Sequence, residues 1–201
     1  MFNYFKKKMN KKLLLQQFIK NPINIGSILP SSKSLCFEMM KDINIENAEN
    51  IVELGAGTGA FTNSIQAIRN PYSKFIAIEL YEKFCNVLSE KFPDTNIVNG
   101  NAEELSSICR KNNMSNLDII ISGLPWANFS EKIQYKILSE IDKMLKETGC
   151  FVTFSYIQSW ILPAELRFRK LIKKLFEKIE YSKIIWKNFP PAYVIRCYKT
   201  K

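Results

Sequence analysis

Apolar residues recur at steps of three and four along the first twenty positions. Phe2, Phe5, Met9, Leu13, Leu14 and Phe18 mark one face, and Lys6, Lys7, Lys8, Lys11 and Lys12 fill much of the remainder. That spacing predicts an amphipathic helix over residues 2–20, ended by Asn21-Pro22. Pro30-Ser31-Ser32 starts a second predicted helix to about residue 41, with a serine as its N-cap. From residue 50 the pattern becomes short apolar runs alternating with helical periodicity. Strands are predicted over Asn50–Leu54, Lys74–Glu79, Asn96–Asn99, Leu117–Ser122 and 150–156. Helices are predicted over Ala60–Ile68, about 82–91, 102–110 and 131–146, the last stopped by Gly149. Leu117–Ser122 is apolar enough to be buried on both faces. Pro163 opens a helix to about residue 179, and 181–188 and 193–199 read as two closing strands joined through Pro190-Pro191.

Repeated strand–helix units imply parallel strands, right-handed crossovers and helices on both sides. The predicted fold is therefore α/β: a doubly wound, mostly parallel, seven-stranded Rossmann-like sheet with an N-terminal amphipathic helical extension. Residues 1–45 are assigned to the extension and 46–201 to the core. The chain's 201 residues suit one compact domain. There is no run of eighteen apolar residues to cross a membrane. The basic start lacks a following apolar stretch, so no secretory signal is expected.

Charge sharpens this picture because it is unevenly placed. Residues 1–37 carry seven lysines and no acid, and residues 163–201 carry eleven bases against three acids. The stretch between them has sixteen acids and eleven bases. Basic ends around a mildly acidic middle point to an anionic macroscopic partner, either membrane or nucleic acid; a lysine-rich solvated surface is the plain alternative. The five cysteines form no CxxC pair, as expected of reduced thiols in a cytoplasmic protein. Histidine is absent, which removes imidazole bases, His-based triads and the usual zinc sites. No metal is expected.

The candidate chemistry begins at Glu53-Leu54-Gly55-Ala56-Gly57-Thr58-Gly59. Glycines after a strand allow a tight turn and close approach of backbone to a ligand. The spacing is GxGxG rather than the dinucleotide GxGxxG, and Glu53 beside it suits a cationic sulfonium better than a pyrophosphate. Glu79, with Leu80 after it, ends the second strand, where a carboxylate can accept both hydroxyls of a ribose. Asn101-Ala102 follows the third strand, where an adenine ring would be held. Ser122-Gly123-Leu124-Pro125-Trp126 follows the fourth.

In this order these segments resemble a class I S-adenosylmethionine-dependent methyltransferase. Ile25-Gly26-Ser27-Ile28-Leu29-Pro30-Ser31-Ser32, Ser122–Pro125 with Asn128-Phe129, and Asn188-Phe189-Pro190-Pro191-Ala192 resemble bacterial phospholipid N-methyltransferases over roughly residues 20–199. The resemblance implies S-adenosyl-L-methionine as cofactor and S-adenosyl-L-homocysteine as product. Glu53, Gly55, Gly57, Thr58, Gly59, Glu79, Leu80, Asn101, Ala102 and Ser122 would form the cofactor site. Asn101 departs from the usual aspartate, so adenine would meet an amide there. The Gly123 and Leu124 carbonyls, Asn128 and Tyr156 would orient the acceptor amine. Trp126 would offer a cation–π face, although the same ring suits a plain core position. Ser31 and Ser32 read first as helix caps and second as donors to a lipid phosphate.

The 122–129 loop also echoes the Asn-Leu/Ile-Pro-Tyr/Phe motif of adenine N6-methyltransferases, including the ribosomal RNA adenine dimethyltransferases. There an asparagine takes the target amino group while an aromatic ring stacks on the extruded base. Gly123 replaces that asparagine here, and the chain lacks room for the C-terminal helical domain of those enzymes. The favoured expectation is stepwise methylation of phosphatidylethanolamine toward phosphatidylcholine by a cytoplasmic enzyme held peripherally at the inner membrane. Lys6, Lys7, Lys8, Lys11 and Lys12 would then contact anionic lipids, and no protein partner is expected. RNA, a small amine metabolite, and a non-catalytic cofactor-binding module stand as the alternatives.

Overall fold

The computed structural model describes residues 31–199. The helix predicted over 2–20, its five lysines and the Ile25–Pro30 segment lie outside the described residues. A seven-stranded sheet runs in the order β3-β2-β1-β4-β5-β7-β6. Its strands are β1 (Asn50–Leu54), β2 (Lys74–Glu79), β3 (Asn96–Asn99), β4 (Leu117–Ser122), β5 (Leu145–Tyr156), β6 (Lys178–Tyr181) and β7 (Ala192–Tyr198). β1 to β5 pair in parallel, and β7 runs antiparallel between β5 and β6. The doubly wound, mostly parallel α/β fold expected from the alternating pattern is the fold observed.

Alternation along each strand divides the core into two layers. Val52, Leu54, Ile76, Ile78, Ile120 and Phe151 face α4 (Leu105–Lys111), α5 (Glu131–Met144) and α6 (Pro163–Leu175). Ile51, Phe75, Ala77, Ile119, Ile121 and Val152 face α1 (Lys33–Met40), α2 (Ala60–Ile68) and α3 (Glu82–Lys91). α1 is built into this second layer, with Leu35 and Met39 fully buried. Its end is tied to the last strand. Buried Arg196 donates to the Lys41 carbonyl at 2.9 Å, to the Glu38 carboxylate at 2.9 Å and to the Glu38 carbonyl. Among the described residues, no helix is long and apolar enough to cross a membrane.

Several predicted boundaries move, among them the start of β5, at Leu145 rather than 150. α5 ends at Met144 rather than near 146, because Leu145 is extended, buried and paired with Leu117. Gly149 is therefore no helix stop: a Cβ there would lie 2.8 Å from the Leu145 side chain and 3.0 Å from the Leu117 carbonyl. α6 ends at Leu175, where Phe176 becomes extended and buried. The penultimate strand is then Lys178–Tyr181, not 181–188. Residues 182–191 form a loop joined to the sheet by the Ile185–Ala192 bridge.

Candidate active site

The C-terminal ends of β1, β2 and β4 open onto one cavity of about 460 Å³, within the range of small-molecule sites. Its floor is the turn after β1. Gly55, Gly57 and Gly59 take φ of +73°, +55° and +80°, a region costly for side-chain-bearing residues. The turn is pinned from β2: Gly55 N–H donates to the Ile78 carbonyl at 2.8 Å, and Gly57 N–H to Glu79 Oε2 at 2.8 Å. The other Glu79 oxygen accepts Tyr81 N–H at 3.0 Å. The carboxylate is thus fixed at the cavity wall, and each oxygen keeps a second lone pair for a ligand hydroxyl.

On the opposite wall, the post-β4 loop closes against the turn. A Cβ on Gly123 would lie 2.7 Å from the Gly55 carbonyl oxygen, and one on Gly55 would lie 2.8 Å from the Leu124 side chain. Two backbones approach here at a distance only glycine permits. Asn101 Oδ1 accepts Glu103 N–H at 3.0 Å while its Nδ2 donates to Glu103 Oε1 at 3.3 Å. Glu103 is held below the usual carboxylate range, chiefly by its hydrogen bond with Lys136.

The residues expected at the cofactor and acceptor divide into two groups. Gly55, Gly57, Thr58, Glu79, Leu80, Asn101, Ala102, Gly123, Leu124 and Asn128 line the cavity together, and Ser31 reaches its rim. Glu53, Gly59, Ser122, Trp126 and Tyr156 are not among the lining residues. Gly59 is the N-cap of α2. Ser122 is fully buried, its hydroxyl accepting Leu124 N–H at 3.3 Å. Glu53 points to α2 and accepts the Thr62 hydroxyl at 2.7 Å, and its Oε1 has no hydrogen-bond partner. Burial pushes its carboxyl up to about 7, against the lowering effect of Thr62.

Two expectations about the acceptor are corrected. Trp126 is 2% exposed, stacked on Phe168 at 4.5 Å, edge-on to Phe129 and Phe151, with its N–H donated to Thr153 at 3.0 Å. Its ring is committed to the core and has no face for an amine. Tyr156 packs edge-on against Phe154 rather than lining the cavity, and burial raises its phenol. Ser32 is the N-cap of α1, accepting Leu35 N–H at 3.1 Å, and its own N–H donates to Asn188 Oδ1 at 3.0 Å.

The aromatic wall was missed. Phe61, Phe129 and Phe154 line the cavity together with the post-β4 loop, and Tyr81 and Phe84 line it beyond Glu79. Phe61 and Phe154 meet edge to face at 5.8 Å, and Phe61 sits 3.6 Å from the position of a Cβ on Gly123. Buried aromatics at helical and strand spacing carry no sequence signal that separates a cavity wall from a core.

A glycine cradle, an anchored carboxylate and an amide across a cavity of this size fit S-adenosylmethionine. The fold and this site define a class I S-adenosylmethionine-dependent methyltransferase. Within that class the chain belongs to the ribosomal RNA adenine dimethylase family, whose sequence profile matches residues 7–152. It is 28% identical over 192 residues to the ornithine lipid N-methyltransferase of Singulisphaera acidiphila, spanning 94% of this chain and 96% of the relative. It is 39% identical over 74 residues to ribosomal RNA small subunit methyltransferase A of a Sulfurihydrogenibium species, spanning 37% and 28%. The O-methyltransferase of Bacillus cereus, solved with S-adenosylhomocysteine, superposes with a TM-score of 0.63 at 13% identity, over 92% and 89% of the two chains. That likeness is one of fold.

Proposed function

We propose that the protein N-methylates the primary amine of a membrane aminolipid, with phosphatidylethanolamine as the first acceptor to test and an ornithine lipid as the second. The observation that carries this reading is the post-β4 loop. Gly123 stands where adenine N6-methyltransferases place an amide, and the Gly55 carbonyl fills the space a side chain would need. An end-to-end relative of nearly the same length that bears a lipid N-methyltransferase name supports it, as do the seven lysines before residue 38.

Bound S-adenosylmethionine supplies the methyl group. The turn from Gly55 to Thr58 would hold its methionine part, Glu79 the ribose hydroxyls, and Asn101 with Ala102 the adenine. The Gly123 and Leu124 backbone and Asn128 orient the amine, which must be neutral to attack. With no histidine in the chain, water takes the proton, and a loop carbonyl accepts a hydrogen bond from the amine. Phe61, Phe129 and Phe154 take over the cation–π role expected of Trp126 and favour the more methylated products.

RNA is the second reading, favoured by the family profile. The purified protein is incubated with radiolabelled S-adenosylmethionine and either phosphatidylethanolamine vesicles, ornithine lipid vesicles or total RNA. Label is expected in the organic phase with a lipid. Label confined to RNA would replace the lipid reading with the nucleic-acid one.

A further inference from the structure

Beyond β5 and before β7 the surface changes character. Trp160, Ile161 and Leu162 stand exposed ahead of α6, and Ile184, Trp186 and Phe189 stand exposed in the 182–191 loop. The two stretches leave the same end of the sheet and meet at their bases, where Ile157 N–H donates to the Pro191 carbonyl at 3.0 Å. Ile161, Trp186 and Phe189 are 79%, 71% and 66% exposed. Large apolar tips held this far out are unusual on loops and mark a contact surface. The face is also braced. Arg169 lies 3.9 Å over the Trp160 ring and donates to the Trp160 carbonyl at 2.6 Å.

The charge around it is mainly basic, and Glu38, which lies beside Ile184, is paired with Arg196. The loop carries Lys183 and Lys187 with no acid from 182 to 191, and the only acid in the first turns of α6, Glu165, is fully buried. Protruding tryptophan and aliphatic tips ringed by basic groups match the boundary between lipid headgroups and acyl chains. Phosphate attracts the lysines, while Ile161 offers nothing to RNA. We propose that this face docks on an anionic bilayer, inserting Ile161, Trp186 and Phe189 to headgroup depth. Asn188 joins the loop to Ser32, whose neighbour Ser31 lines the cavity, so docking here brings the cavity rim to the headgroups. The proposal rests on the lipid reading of the site only for that last consequence.

The test uses the full chain and vesicles of phosphatidylglycerol and phosphatidylcholine, which hold no primary amine, so binding is read independently of the acceptor. Measurements at low and high salt separate lysine attraction, which salt screens, from apolar insertion, which it does not. Ile161→Ser with Trp186→Ser is expected to weaken partitioning about tenfold at high salt, with S-adenosylmethionine affinity by calorimetry unchanged. Bromine-labelled lipid is expected to quench tryptophan emission, and Trp186→Phe to remove a large part of that quenching. Partitioning unaffected by the double substitution, or emission unaffected by vesicles, would overturn the proposal. So would self-association in sedimentation that the same double substitution abolishes, which would assign the face to a second copy of the chain.

Discussion

The proposed lipid reading turns on Gly123, because its neighbour across the cleft is backbone rather than a side chain that can swing away. Gly123→Asn is expected to push the Gly55 turn aside, costing about 1–3 kcal/mol of stability and weakening S-adenosylmethionine binding at least severalfold in calorimetry, without creating RNA methylation. Phe154→Leu is expected to slow the second and third methyl transfers severalfold more than the first, read as product distribution by mass spectrometry. Glu53 gives a pH signature. Its folded carboxyl is raised to about 7 against an ordinary 4.5, so the folded state holds the proton more tightly. That contribution is complete below about pH 4.5 and is lost as pH rises through 7, a loss of about 3 kcal/mol. Denaturant unfolding between pH 5 and 8 is expected to show this decline in the parent and a flatter profile in Glu53→Gln. At this scale, much of the site was legible in sequence. Gly55, Glu79 and Asn101 sit at or within two residues of strand ends, and strand ends are where this topology places ligands. Trp126 was not legible, because an aromatic after Leu-Pro reads the same whether it stacks on a ligand or on Phe168.

Among the elements, α1 depends most on a distant partner. Arg196 satisfies two carbonyls at its end and pairs with Glu38. Arg196→Met leaves those groups unpaired and is expected to cost about 3 kcal/mol by denaturant unfolding. It is also expected to loosen the Ser31 side of the cavity, seen as faster amide exchange in α1. The central strands were readable because burial on both faces makes them continuous apolar runs. The end of α6 was not. Its apolar spacing continues to Ile179, and only the inward turn of Phe176 breaks the helix. The 182–191 loop resembles a strand in composition, yet Ile184, Trp186 and Phe189 point outward while Ile185 packs on the core, and a one-dimensional pattern does not show which side of the molecule they meet.

At the scale of the whole molecule, the cavity joins segments from both halves of the sheet. S-adenosylmethionine at a hundred times its dissociation constant is expected to add about 2.7 kcal/mol of stability, visible as a rise in melting temperature of roughly 5–10 °C. The doubly wound fold was legible from the alternation of strand and helix, whereas the seating of α1 in the core was not, since α1 owes its place to residues some 155 positions away. That separation bears on how the chain is made. During synthesis the glycine turn, β2 and β4 all leave the ribosome before Asn188 and Arg196 exist. The nascent protein can therefore assemble the cofactor side early, but it closes the acceptor side only when β7 slots between β5 and β6. A message truncated just before Asn188 would yield no dim version of the enzyme. It would yield a chain with an open sheet edge and an undocked first helix, a target for proteases.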